Sequence, residues 1–287
     1  MFYKTADKED MVKSEILDIK GIRLNVIDAG SGPAVMFIHG FPDTSAVWRY
    51  QIPAMVEAGY RVIAPDVRGF GKSDKPAKTQ DYELAILSQD MINLLDTLHI
   101  EKIHVVGHDM GAVMAWLMGG FYPQRIGRLV VLSVGHPMAS RERRSIEQRE
   151  KHWYMLFFQF RDTAEALLKL DDWKLFRELL RNHSEVENWI RDLSRPGALT
   201  AALNWYRANM GPERELQPPV SIPSVEVPTL GIWSSGDAYL TEKPLMASGA
   251  FVKAEWQYKR IEGASHWLQL DEPDQVNKLL IDFFAKG

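Results

Sequence analysis

The chain has 287 residues, 46% of them hydrophobic, enough to bury a substantial core as one large domain or as a domain with an insertion. A net charge of −4 gives no electrostatic footprint for nucleic acid or an anionic membrane, and no apolar run approaches the roughly 18 residues of a membrane span. The lack of cysteine excludes disulfides, thiolate metal sites and a cysteine nucleophile. Met1 to Ser14 is charged and has no apolar signal-peptide centre, so a cytoplasmic enzyme is expected.

In chain order, Ser14 to Asp28 reads as a leading antiparallel pair of strands, followed by a buried strand at Ala34 to Ile38 and the loop His39-Gly40-Phe41-Pro42. A helical pattern covers Ser45 to Ala58 and a second buried strand Tyr60 to Ala64. Asp66-Val67-Arg68-Gly69-Phe70-Gly71-Lys72-Ser73 reads as an architectural loop with an Asp–Arg pair. Then come a helix at Leu84 to His99, a strand at Ile103 to Val106, a helix at Met110 to Tyr122 and a strand at Leu129 to Val134. From His136 to about Pro223 the pattern is helical, with many aromatics and charges and no strand signal. Strands resume at Thr229 to Trp233 and Gln257 to Ile261, and Asp274 to Lys286 forms a last helix. Short apolar strands alternating with amphipathic helices predict an α/β fold with a mostly parallel sheet flanked by helices. The expected division is a core domain of residues 1–135 and 224–287 with a helical cap, 136–223, inserted into it.

Gly107-His108-Asp109-Met110-Gly111 stands where a strand runs into a helix, with small residues two positions before and after Asp109. That is the pattern of a nucleophile elbow, whose strained turn admits only small residues at those places. Aspartate at its centre changes the chemistry. A carboxylate that displaces a leaving group at saturated carbon forms an ester that water can hydrolyse, whereas serine would form an inert ether. Asp237, after the strand Thr229 to Trp233, and His266, after the last strand, supply the acid and base in the order such folds use. The backbone N–H groups of Phe41 and Met110 are placed to form an oxyanion hole for the Asp109 ester. His99, His104, His108 and His183 read as surface or internally satisfied histidines.

These motifs resemble the epoxide hydrolase branch of the α/β-hydrolase superfamily, over nearly the whole chain. His39-Gly40-Phe41-Pro42, Gly107-His108-Asp109 and Ser265-His266-Trp267 carry the resemblance, together with Trp153 to Gln159 and Leu203 to Asn209. It implies an α/β-hydrolase fold on an eight-stranded sheet. It also implies that Tyr154 and Tyr206 hydrogen-bond the epoxide oxygen and protonate the departing alkoxide, since a bare alkoxide leaves poorly. The implied partners are a small apolar epoxide and water, with no cofactor, no metal and no nucleic acid; a homodimer stays open. Aromatics Trp153, Phe157, Trp205 and Trp267, with His39 and Pro42, are expected to line an apolar pocket. Many epoxide hydrolases carry Trp after the nucleophile, whereas here it is Met110. Haloalkane dehalogenases resemble this chain but use an indole there, and haloacetate dehalogenases an arginine, so dehalogenation is the alternative reading. A non-catalytic ligand-binding protein on the same fold is a further one.

Overall fold

The structure is a computed structural model describing residues 14–142, 145–217 and 221–286. The charged stretch 1–13, on which the signal-peptide reading rests, lies outside the described residues, as do 143–144 and 218–220 of the helical region.

Eight strands form one sheet in the order β1-β2-β4-β3-β5-β6-β7-β8. β1 (Ser14–Asp18) and β2 (Arg23–Ala29) make the antiparallel pair, and β2 joins β4 antiparallel. β3 (Ala34–Ile38), β4 (Arg61–Pro65), β5 (Ile103–His108), β6 (Ile126–Leu132), β7 (Thr229–Ser234) and β8 (Trp256–Ile261) run parallel. Val35 to Ile38, Val105, Val106 and Leu129 to Leu132 are completely buried, the continuous apolar runs expected of strands covered on both faces. The flanking helices are α1 (Gln51–Glu57), α2 (Leu84–Thr97) and α3 (Met110–Phe121). The expected single helix from Ser45 to Ala58 is instead a short 3-10 turn, Ser45–Trp48, followed by α1. Pro53 explains the break: it fits the first turn of α1, but in one continuous helix its ring would meet the carbonyl four residues earlier.

β3 has β4 on one side and β5 on the other, so the chain winds away from β3 in one direction and returns on the opposite side. At such a switch point the loops leaving the strands' C-terminal ends diverge and open a crevice. The loop after β3 and the elbow after β5 therefore face each other by topology alone.

Between β6 and β7 the chain passes through α4 (Pro137–Glu142), α5 (Ile146–Lys151), α6 (Trp153–Phe157), α7 (Thr163–Leu179), α8 (Val186–Leu193) and α9 (Ala198–Asn209), and no strand occurs there among the described residues. α8 buries Val186, Trp189, Ile190 and Leu193, the apolar stripe of an amphipathic helix. α7 is interrupted at Asp171, Asp172 and Trp173, whose φ angles of 49°, 54° and 61° are left-handed. Arg207 on α9 binds Glu165 of α7 through two contacts of 2.7 and 2.8 Å and donates to the Phe158 carbonyl beyond α6 at 2.8 Å, so one buried side chain ties three helices together. α10 (Glu242–Ala247), α11 (Leu268–Asp271) and α12 (Pro273–Phe284) complete the chain. Among the described residues no helix is long and apolar enough to cross a membrane.

The loop after β4 is architectural, but its expected Asp–Arg pair is not made. Asp66 instead accepts from Asn25, Ser45 and the backbone of Lys72, while Arg68 reaches Asp90 on α2 with two bonds of 2.8 Å. A carboxylate surrounded by local donors is already satisfied, which leaves the guanidinium to the buried carboxylate on the neighbouring helix.

Candidate active site

Asp109 stands between β5 and α3 with φ 52° and ψ −124°, an outlier for a residue with a Cβ. The neighbours permit it because they are glycines: a Cβ on Gly107 would strike the Gly111 carbonyl, and one on Gly111 the carbonyl of Ile38. The turn lifts the Asp109 carboxylate into the crevice at the start of α3, where the helix dipole favours negative charge. Phe41 N–H donates to Oδ1 at 2.9 Å, and the backbone N–H of Met110 at the start of α3 adds to the lowering of the carboxyl pKa. The two amides expected to form the oxyanion hole thus act on the same side chain. Oδ2 points to His266, whose Nε2 lies 3.5 Å away.

The other face of that imidazole meets Asp237. Nδ1 donates to Oδ2 at 2.8 Å, while Oδ1 accepts the backbone N–H groups of Tyr239 and Leu240 at 2.8 and 2.9 Å. All three side chains that the sequence suggested as a triad therefore meet, with the histidine between the carboxylates. Burial by itself would strip the proton from His266, but the two carboxylates outweigh it and push its pKa up to about 10. Burial likewise opposes charge on Asp109 and Asp237, yet His266 holds both below the usual carboxylate range.

The backbone of His266 is fixed from behind. His108 Nε2 lies 2.9 Å from the His266 carbonyl, and since a carbonyl only accepts, that nitrogen carries the proton. Ser133 Oγ adds a contact of 3.3 Å to the same oxygen. Burial lowers the His108 pKa to about 3, so this ring is a neutral donor.

Across the crevice, Tyr154 on α6 and Tyr206 on α9 enclose a cavity with Phe41, Asp109, Leu179, Leu180, Tyr239, His266 and Trp267. Its volume is about 20 Å³, far below that of ordinary ligand pockets, so the walls close tightly over Asp109. The two tyrosines stand together, their rings meeting edge to face at 5.8 Å. Burial and then the Asp109 charge push both phenol pKa values well above 10, so each is protonated.

Of the six residues expected to line the pocket, only Trp267 does. Trp153 is turned away from Tyr154 by one helical step of about 100° and stands half exposed, its ring tilted against Phe157. Trp205 is displaced from Tyr206 by the same rotation; it is buried on the other side of α9 against His39 and Phe70, donating to the Arg68 carbonyl at 3.0 Å. His39 accepts from Val67 N–H at 2.9 Å behind the loop, and Pro42 also lies outside the lining. Sequence reasoning missed Leu179, Leu180 and Tyr239; only Tyr239 carried a signal, being two residues from Asp237. Tyr239 donates to the Leu179 carbonyl at 2.8 Å and so fixes that part of the wall. A larger open depression beside α2, lined by Arg68 and Asp90 among others, shares no residue with this site, and those two charges are already paired.

Comparison with known proteins gives the same picture. The α/β hydrolase fold family matches residues 33–273. The chain is 33% identical to epoxide hydrolase 4 of Homo sapiens over 283 residues, covering 93% of this chain and 76% of that protein. It is 34% identical to the AB hydrolase superfamily protein YfhM of Bacillus subtilis over 288 residues, covering 96% and 98%. Among solved structures, epoxide hydrolase A from Mycobacterium thermoresistibile superposes with a TM-score of 0.79 at 28% identity, over 95% of this chain and 98% of that one. The elbow, the sheet order and these relatives agree: the chain belongs to the α/β-hydrolase family, within its epoxide hydrolase branch, and is a hydrolase.

Proposed function

We propose that the protein opens a small apolar epoxide to a vicinal diol through an ester on Asp109, with the helices between β6 and β7 acting as a cap over the site. The observation that carries this reading is the pair of buried phenols, Tyr154 and Tyr206, in the same cavity as a carboxylate on an elbow. A halide leaves unaided as an anion and needs N–H donors, which the Met110 side chain does not offer. An alkoxide needs a proton, which two un-ionised phenols supply.

In this scheme Oδ1 stays with the amide of Phe41 while Oδ2 attacks an epoxide carbon. The C–O bond breaks as a tyrosine protonates the ring oxygen. Esterification removes the Asp109 charge, and with it one of the two carboxylates that hold the proton on His266. The imidazolium can then lose its proton as the phenolate regains one, so the charges balance. Neutral His266, held by Asp237, takes a proton from water as the water oxygen attacks the ester carbon. The oxyanion forms on Oδ1 beside the Phe41 amide, and its collapse expels Oδ2 with the diol, the leaving oxygen taking the proton of the added hydroxyl, so that Asp109 is again a carboxylate and His266 an imidazolium.

Two measurements test the scheme. His266→Gln incubated with styrene oxide is expected to accumulate a mass increase equal to the epoxide on the peptide containing Asp109. Wild-type enzyme in heavy-oxygen water, in a single turnover, is expected to place label in Asp109 and little in the diol. Labelled diol with an unlabelled Asp109 would mean direct attack by water and would refute the ester.

A further inference from the structure

The residues on either side of His266 are tied to the protein in the same way. Trp267 Nε1 donates to Asp43 Oδ2 at 3.0 Å, while Asp43 Oδ1 accepts from Trp189 Nε1 on α8 at 2.7 Å. On the other side, Ser265 N–H donates to Asp271 Oδ2 at 2.7 Å, while Asp271 Oδ1 lies 3.2 Å from His183 Nε2 in the turn before α8. Each carboxylate thus gives one oxygen to a neighbour of the histidine and the other to the helical segment.

The rings join the two halves. Trp189 lies 4.5 Å from Trp267, and His183 lies 5.1 Å from Trp189 and 5.0 Å from Trp267, measured between centroids. Asp43 is 1% exposed, so its carboxyl group is shielded from water, and among the described residues its two oxygens bond the two indoles. The triad acid and the nucleophile also stand on the sheet's loops, and the helical segment touches Asp237 only at its carbonyl, to which Lys151 Nζ donates at 2.8 Å. Of the three, His266 alone has flanking residues whose carboxylate partners are bonded from the helical segment.

We propose that Asp43 and Asp271 form a double clasp through which His183 and Trp189 of the cap position His266. The inference rests on the epoxide hydrolase reading for its kinetic consequence and on geometry alone for the clasp. Ring opening uses Asp109 and the tyrosines; only ester hydrolysis uses His266 as a base, and a displacement of about half an ångström is enough to spoil a proton transfer. A loosened clasp therefore slows the second half-reaction selectively. His183 and Trp189 act as positioning residues, since neither borders the cavity over Asp109.

The test uses Trp189→Phe and His183→Phe, which keep a ring in the stack and remove the donor. The first readout needs no substrate: the proton resonance of the His266 Nδ1–H held by Asp237, assigned by its disappearance in His266→Gln. In either variant it is expected to move upfield or broaden through exchange with water. The second readout is pre-steady-state reaction with styrene oxide. Alkylation is expected within about twofold of wild type and ester hydrolysis to slow about tenfold or more, so that the ester accumulates. Trp173→Phe, a same-size change in the same segment outside the clasp, is expected to alter neither readout. An unmoved resonance in both variants would overturn the clasp whatever the kinetics, and so would an equal slowing of both steps. If wild type forms no Asp109 ester, the mechanism fails, and the resonance still decides the clasp.

Discussion

His266 stands 3.5 Å from Asp109 but 2.8 Å from Asp237, and this inequality separates the two carboxylates by role. The near one is locked by two backbone N–H groups and holds Nδ1 of the ring. The far one keeps an oxygen free towards the cavity.

The proton on His266 has a consequence for stability. Its folded pKa is raised from 6.5 to about 10, so the stabilisation is complete below pH 6.5 and is lost as pH rises towards 10, where the unfolded chain has long been neutral. The gap in Tm between wild type and His266→Gln is expected to narrow steadily over that window; a constant gap would show that the ring is not charged at rest. The lowered carboxyl groups act with opposite sign, giving stability above their ordinary value of 3.8 that disappears in acid. In catalysis, kcat is expected to show a base whose pKa lies below that of the free enzyme, because the ester no longer carries the Asp109 charge.

Tyr154→Phe and Tyr206→Phe are each expected to slow ring opening about a hundredfold, with a smaller effect on hydrolysis of the ester. Stopped-flow measurement of the two phases distinguishes them. Equal alkylation rates in wild type and both variants would remove the tyrosines from the proton-transfer step.

Tyr239→Phe removes the bond to the Leu179 carbonyl, a neutral hydrogen bond worth about 1 kcal/mol. Leu179 and Leu180 then lose one restraint over a cavity that is small to begin with. The ratio of kcat/KM for styrene oxide over propylene oxide is expected to rise, and an unchanged ratio would mean that this wall does not limit substrate size.

Arg207→Met leaves the Glu165 charge in a poorly hydrated site, at a cost of about 3 kcal/mol in denaturant unfolding. Because Arg207 holds α6 and α9, which carry the tyrosines, ring opening is expected to slow as well. The double change Arg207→Met with Glu165→Leu is expected to recover most of the stability. Simple additivity of the two changes would contradict the pairing.

What could be read from the sequence was local. The strand Ala34 to Ile38 is written as an unbroken apolar run, and the elbow as two glycines around Asp109. His266 and Asp237 follow from chain order and strand ends. Side-chain direction around a helix could not be read as well, so Trp153 was placed with Tyr154, and Trp205 with Tyr206, when one helical step sends each pair apart. Nor could contacts between distant segments. Leu179 and Leu180 reach the cavity from the end of α7, and Asp43 meets Trp189 across 146 residues of chain. Arg68 found Asp90 rather than the nearer Asp66 because proximity in sequence says nothing about which donors surround a carboxylate.

The helical segment leaves the sheet at β6 and re-enters at β7, and these strands are immediate neighbours, pairing Leu129 with Thr229. Its two stems are therefore closed side by side by the sheet itself. The entropy of closing a loop grows only with the logarithm of its length, so doubling the segment costs the core about 0.6 kcal/mol, less than one buried methyl group. Helices can be lengthened, shortened or exchanged between those stems with little penalty to the strands beneath. The pocket walls on that side are thus free to diverge from one descendant to the next while the elbow, set by glycine contacts within the sheet, stays where it is.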